Sequence, residues 1–289
     1  MKNNVLKDIY NYRQMISGLV HRELRGRYKG SVLGFLWTFL NPLLQLLVYT
    51  LLFGVLLKSN IKDFYLFLFV GLIPWIFIQN CVAGGSNAVV NQKSLVTKIR
   101  FPREVLPISY VTTAFVNMLY CFVIIFIVVS FNIGIHSFNN GFISGPATEI
   151  AANGVINNPY SFWPYFALPL LFIIQYVLAL GLCFLASSIT VYFRDMEHIL
   201  SVVTMFWCYC TPIMYSLDNI LGDSMNKYRW IFVYLNPMTT IVEAYQSILY
   251  YGRWPDFSTL WVGAAYAVFF LLVGFGVFEL LKKRFAEEL

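Results

Sequence analysis

The chain has 289 residues, 59 % of them hydrophobic and only 12 % charged, with a mean hydropathy of +0.67. A soluble domain of this length carries about twice that charge, so a water-soluble enzyme is excluded and a polytopic membrane protein is expected. The net charge of +6 comes from cations at the ends of apolar runs and not from a basic soluble face, which leaves no nucleic-acid reading.

Residues 1–30 place Leu6, Ile9, Tyr12, Ile16, Leu19 and Val20 among Lys7, Arg13 and Arg22. This pattern predicts an amphipathic helix in the inner membrane interface. A solvated basic tail that only sets topology is the alternative. No signal peptide is expected, because the first apolar run is long enough to stay as a span. A span takes about 20 apolar residues, and six are predicted. They are Leu36–Leu57, kinked at Asn41-Pro42, Phe64–Val82, Leu106–Gly134, Tyr165–Thr190, Ile199–Tyr215, broken by Pro212, and Leu260–Leu281. The fold class is therefore an all-α integral membrane protein. One unit covers 1–289, with an interfacial helix over 1–30, a six-span core over 36–281 and a tail over 282–289.

Three connecting pieces carry information. Between spans two and three runs NQKSLVTKIRFPREVLP, Asn91–Pro107, with the cations Lys93, Lys98, Arg100 and Arg103. Its apolar positions Leu95 and Ile99 have helical spacing, so a short amphipathic element on the cytosolic side is predicted. Pro102 lacks an N–H and restricts Phe101, so the segment is expected to turn there. Residues 135–164 contain no Lys or Arg and read as a polar outer loop. Residues 216–257 become apolar again at Asn236-Pro237, where Met238, Ile241, Val242, Tyr245, Ile248 and Leu249 share a helical face. That stretch is too short to span and predicts a re-entrant helix at the outer face.

With the N-terminus inside, fifteen of the twenty Lys and Arg residues fall on the cytoplasmic side, and Lys58, Lys62, Lys227, Arg229 and Arg253 on the other. This asymmetry places both termini in the cytoplasm. There is no Walker motif, HExxH or GxSxG, and the spans hold almost no ionisable groups. Their scarcity argues against ion coupling, so energy for uphill transport has to come from another chain. No metal site is expected, and the five cysteines read as small hydrophobes in helices. Aromatics make up 18 % of the chain. Most belong to packing and interfacial belts. Those around Phe206, Trp207, Tyr209 and Tyr215, with Tyr245, Tyr250 and Tyr251, also suit sugar rings, because C–H faces stack on π systems while hydroxyls find partners.

Four segments then occur in order: RYKGSVLGFLWTFLNPLLQLLVYTLLFG (Arg27–Gly54), NQKSLVTKIRFPREVLP, YFRDMEHIL (Tyr192–Leu200) and YLNPMTTIVEAYQ (Tyr234–Gln246). Together they resemble the permease of type 2 ABC exporters, in the branch that exports O antigen, capsule or wall teichoic acid. The resemblance covers essentially the whole chain. One departure is the 135–164 loop, which is longer than in compact members. It implies a homodimer of six-span subunits in the bacterial cytoplasmic membrane. Two copies of an ABC ATPase subunit are implied at the cytoplasmic face, and these, not this chain, bind ATP and Mg. The cargo implied is a lipid-linked polysaccharide passing between the two copies among membrane lipids. Coupling to the ATPase is implied at Lys98, Arg100, Phe101, Pro102, Arg103 and Glu104, with Arg194 and Asp195. The gate that admits substrate is implied at Arg22, Arg25, Arg27 and Tyr28. The glycan channel is expected to be lined by Trp207, Tyr209, Tyr215 and Tyr245. Other readings are a type 2 permease for a drug or a lipid, and a membrane glycosyltransferase using a polyprenyl carrier. Asp195 and Glu197 are the only nearby inner-face acids for such an enzyme, and Arg194 beside them favours an ion pair.

Overall fold

The first helix, α1 (Arg13–Gly26), follows from its pattern. Val20 is buried and Leu19 packs against the protein, while Arg13, Arg22 and Arg25 stay exposed. In this computed structural model residues 9–26, 31–59, 61–99, 101–140, 149–150, 156–157, 160–217 and 229–288 are described. The expected site residues Arg27, Tyr28 and Arg100 lie outside the described residues.

The first span runs from Gly34 to Leu56 as α2 (Trp37–Tyr49) followed by a π-helical turn over Thr50–Leu56. It is the least embedded of the spans, with 6 % of its apolar window buried. Helix α3 (Phe64–Gln79) is the opposite case. Its sequence FYLFLFVGLIPWIFIQ has no polar face, so it has to be wrapped on all sides. It forms the hub of the main apolar core. Midway along it, the Pro74 carbonyl accepts a bond from Gln175 Nε2 at 2.8 Å. Gln175 Oε1 in turn accepts from the Tyr245 hydroxyl at 2.8 Å, which closes a polar seam inside the core.

After a π-helical turn at Asn80–Gly84 come the short helix α4 (Lys93–Lys98) and the long α5 (Val105–Asn140). The sequence places the end of this span at Gly134. Instead α5 continues to Asn140, since no proline interrupts the chain between Pro107 and Pro146. At about 1.5 Å per residue it exceeds the roughly 30 Å apolar layer. Near its far end, His136 Nε2 lies 2.8 Å from Asp63 Oδ2 and Asn132 Nδ2 donates to the Tyr65 hydroxyl at 3.0 Å. These contacts tie α5 to the start of α3. In the expected polar loop, β1 (Glu149–Ile150) and β2 (Ile156–Asn157) pair antiparallel, Glu149 with Asn157 and Ile150 with Ile156.

Helix α6 (Leu168–Tyr192) is followed by α7 (Met196–Cys210), α8 (Arg229–Leu235), α9 (Pro237–Leu249), α10 (Phe257–Leu281) and the short α11 (Phe285–Glu288). Among the described residues five helical stretches are long and apolar enough to cross a membrane: Gly34–Leu56, Phe64–Asn87, Val105–Phe138, Trp163–Tyr192 and Phe257–Arg284. The expected span Ile199–Tyr215 is shorter than that. Helix α7 has 15 residues and ends where Thr211 turns extended ahead of Pro212. The re-entrant stretch is present as α9, but it is buried nearly all round and packs on α3, α6 and α10.

Among the described residues the broadest helix contact is between α6 and α10, and glycine makes it possible. A Cβ built on Gly274 would lie 2.1 Å from the Gly181 carbonyl oxygen, and one on Gly181 2.4 Å from the Leu271 nitrogen. Such backbone approach is the usual means of packing helices where no water drives them together.

Candidate functional site

The segment between α4 and α5 is shaped by two local facts. Ile99 is extended at the end of α4, and Pro102 cannot donate to a continuing helix. Phe101 is half-buried against a second apolar cluster that includes Val96, Leu106, Phe278 and Phe285. Arg103 donates to the Lys282 carbonyl, and its guanidinium sits 6.0 Å from the Phe285 ring. Glu104 is 2 % exposed and accepts from the Lys282 ammonium, which Glu279 also binds. The Tyr192 hydroxyl donates to the Leu281 carbonyl at 3.0 Å. The start of α5, the end of α6 and the end of α10 are thus latched together.

Burial alone would push the Glu104 carboxyl up. Hydrogen bonds from Glu279 and Lys282, with the lysine's charge, bring it below its ordinary value of 4.5. A depressed carboxyl stabilises the fold above that ordinary value and loses the contribution as pH falls through the lowered one. The Glu104–Lys282 contact therefore holds at neutral pH and is lost as pH falls below 4.5. Glu104, where the resemblance implies coupling to the ATPase, instead turns its carboxylate inward, with Oε1 bound by Lys282. Lys98, Arg194 and Asp195 are exposed, the last two in the turn between α6 and α7.

Of the expected gate residues, Arg25 is exposed, and Arg22 Nη2 donates to Gln92 Oε1 at 2.8 Å. The amphipathic helix is thereby tied to the residue just before α4.

The aromatic residues divide. Tyr209 is exposed on α7, on the same side as Val202 and Phe206. The Tyr215 hydroxyl donates to the Tyr209 carbonyl at 3.0 Å. Trp207 is half-buried, edge-on to Trp75 with ring centroids 5.5 Å apart, and its Nε1 donates to Asn236 Oδ1 at 2.7 Å. Tyr245 does not line a channel. It is fully buried in the core, held by Gln175 and packed on Phe122. The cause is that α9 is enclosed by three helices, so its periodicity marks a core and not an exposed path.

Asn236 is the brace of this region. Its side chain also accepts from Met238 N at 3.0 Å, capping α9, and donates to the Cys210 carbonyl at 3.2 Å and Thr211 Oγ1 at 3.0 Å. Side-chain bonds within membranes average about 0.6 kcal/mol each. Asn236→Ala is therefore expected to cost about 1–2 kcal/mol, read as a lower unfolding midpoint of the purified protein. Asn236→Asp should retain the cap on α9 but lose the bonds donated to Cys210 and Thr211.

A sequence model described as ABC-2 type transporter matches residues 14–250. The chain belongs to the ABC-2 type transporter family. Its relatives include a protein named O-antigen export system permease protein RfbA from Myxococcus xanthus, 36 % identical over 285 residues and 99 % of each chain. A protein of the same name from Klebsiella pneumoniae is 29 % identical, over 98 % of this chain and 99 % of the relative. Polysialic acid transport protein KpsM from Escherichia coli is 21 % identical, over 91 % and 92 %.

As an ABC-2 type transporter the chain is a transport subunit, integral to a membrane and part of an ABC system that works with an ATPase. Sequence reasoning missed the roles of Lys282 and Phe285. Lys282 sits in the run Lys282-Lys283-Arg284, which marks a span end whether or not any of its members is buried. Asn236 was legible only as the start of an apolar stretch, and its cap is the reason the stretch begins there.

Proposed function

We propose that this chain is the membrane subunit of an ATP-driven exporter that moves a lipid-linked polysaccharide across the bacterial cytoplasmic membrane. What carries the reading is the full-length similarity to a protein named as an O-antigen export permease, at 36 % identity. In this reading the whole chain is one permease unit, both termini face the cytoplasm, and two copies associate with two ATPase subunits that hold ATP and Mg. The barely buried first span and the exposed apolar side of α7, with Val202, Phe206 and Tyr209, supply surface for a second copy and a glycan path. Arg22, Arg25, Arg27 and Tyr28 serve the inner gate. Lys98, Arg100, Phe101, Pro102 and Arg103, with Arg194 and Asp195, form the platform on which the ATPase acts.

The test is reconstitution of the chain with its ATPase in vesicles, followed by ATP-dependent translocation of a lipid-linked glycan. Wild-type transport is expected. Phe101→Ala should lower ATPase co-purification about tenfold or more, as removal of an aromatic anchor does, and Lys93→Ala should have far less effect. Absence of glycan transport by the wild-type complex, with ATPase bound and active, would reject the cargo.

A further inference from the structure

At the end of the bundle opposite α4 and Lys282, a cavity of about 540 Å³ lies between α8, α9 and the start of α10. Its size falls within the roughly 300–1,000 Å³ of small-molecule sites. The fold builds its rim deliberately. Gly252 takes a left-handed conformation, φ +62°, and lets the chain turn back over the end of α9. Tyr251 N then donates to the Gln246 carbonyl at 3.0 Å and Arg253 N to the Ser247 carbonyl at 2.8 Å. This sets Tyr251, Arg253 and Trp254 side by side on one wall. Asp256 is fixed on the same rim because it caps α10, its Oδ1 accepting from Ser258 N at 2.9 Å and Oγ at 2.7 Å. Arg229 and Glu243 also line the cavity, with Arg229 Nη2 3.7 Å from Glu243 Oε1.

Two guanidinium groups, two carboxylates and two aromatic rings thus face one space, and the formal charges cancel. Carboxylates accept from hydroxyls and guanidinium groups donate to hydroxyl and ring oxygens. Trp254, half-exposed, offers a flat face for apolar C–H bonds. An anion would meet Glu243 and Asp256 as well as the arginines, so uncompensated negative charge is disfavoured. We infer that this cavity, which Tyr215 beyond the end of α7 also lines, is a binding site for a neutral sugar unit. The inference rests on the export reading above and specifies the chemistry of the glycan as it reaches this end of the protein.

Saturation-transfer NMR on the purified full chain in detergent tests it, with methyl α-glucoside and methyl α-mannoside as neutral probes and methyl glucuronide as the acidic one. At least one neutral glycoside should bind saturably. Trp254→Ala and Glu243→Gln should each weaken it about fivefold or more, and Trp254→Phe should restore most of the loss, which a folding defect would not. The glucuronide should bind at least about fivefold more weakly than the neutral probes. Tighter binding of the glucuronide would overturn the neutral class. No binding of any glycoside, or neutral binding indifferent to both variants, would overturn the site. Translocation by the wild-type complex separates the two readings, because transport with no binding here removes this site and leaves the export function standing.

Discussion

Gly181→Leu should abolish a stable α6–α10 pair and with it all transport. The added side chain meets the backbone of Phe270 and Leu271 and not a flexible side chain, so the helices have to separate along their length. Overpacking in a core that can adjust costs about 1–3 kcal/mol, and here about 3 kcal/mol or more is expected because a backbone cannot change rotamer. Gly274→Val should behave alike, since its Cβ meets the Gly181 carbonyl. Gly276→Leu is the control, with open space around its Cβ. The readout is the fraction of protein that remains monodisperse after extraction in detergent. Survival of Gly181→Leu at the level of Gly276→Leu would show that the two helices do not pack through their glycines.

Lys282→Met should be the next most damaging change. It leaves Glu104 and Glu279 facing each other without the cation that joins them. Removing one partner of a fully buried ion pair costs about 3–5 kcal/mol. Lys282 keeps 25 % of its side chain exposed, so roughly 2–3 kcal/mol is expected. The double variant Glu104→Gln, Lys282→Met should recover most of it, because the buried carboxylate is then gone and Glu279, whose side chain is 33 % exposed, can be hydrated. Single variants should also lower transport for each ATP hydrolysed, since the latch joins the segment after α4 to the last span. If Lys282→Met matches wild type in both stability and coupling, the latch has neither role.

The spans, the amphipathic α1 and the short helix before Phe101-Pro102 were readable because each is a local pattern of apolar spacing closed by proline or a charge. What escaped reading was what each pattern meets. The sequence of α9 shows one apolar face, and an exposed Tyr245 is consistent with that; only the enclosure by α3, α6 and α10 makes it core. Glu104 stands among cations in a polar segment and looks like surface, yet its partner Lys282 is 178 positions away. Span length misled in both directions. Apolar residues continue through Pro212, but the helix stops at Cys210, while α5 passes the expected end at Gly134. The site at the far end was half visible, as aromatic residues near Tyr251, but the arginines and acids that balance it come from α8, α9 and the loop that leads into α10.

The glycine contact between α6 and α10 also bears on how the protein is made. Gly181 and Gly274 lie nearly a hundred residues apart. At about 5–20 residues per second of synthesis, α6 emerges from the ribosome roughly 5–20 s before its partner exists. Throughout that interval its tightest packing surface, a bare strip of backbone, faces lipid or whatever insertion factor attends it. Assembly of this permease therefore cannot be completed span by span in order of birth; this close contact is left for the last span, α10, to close.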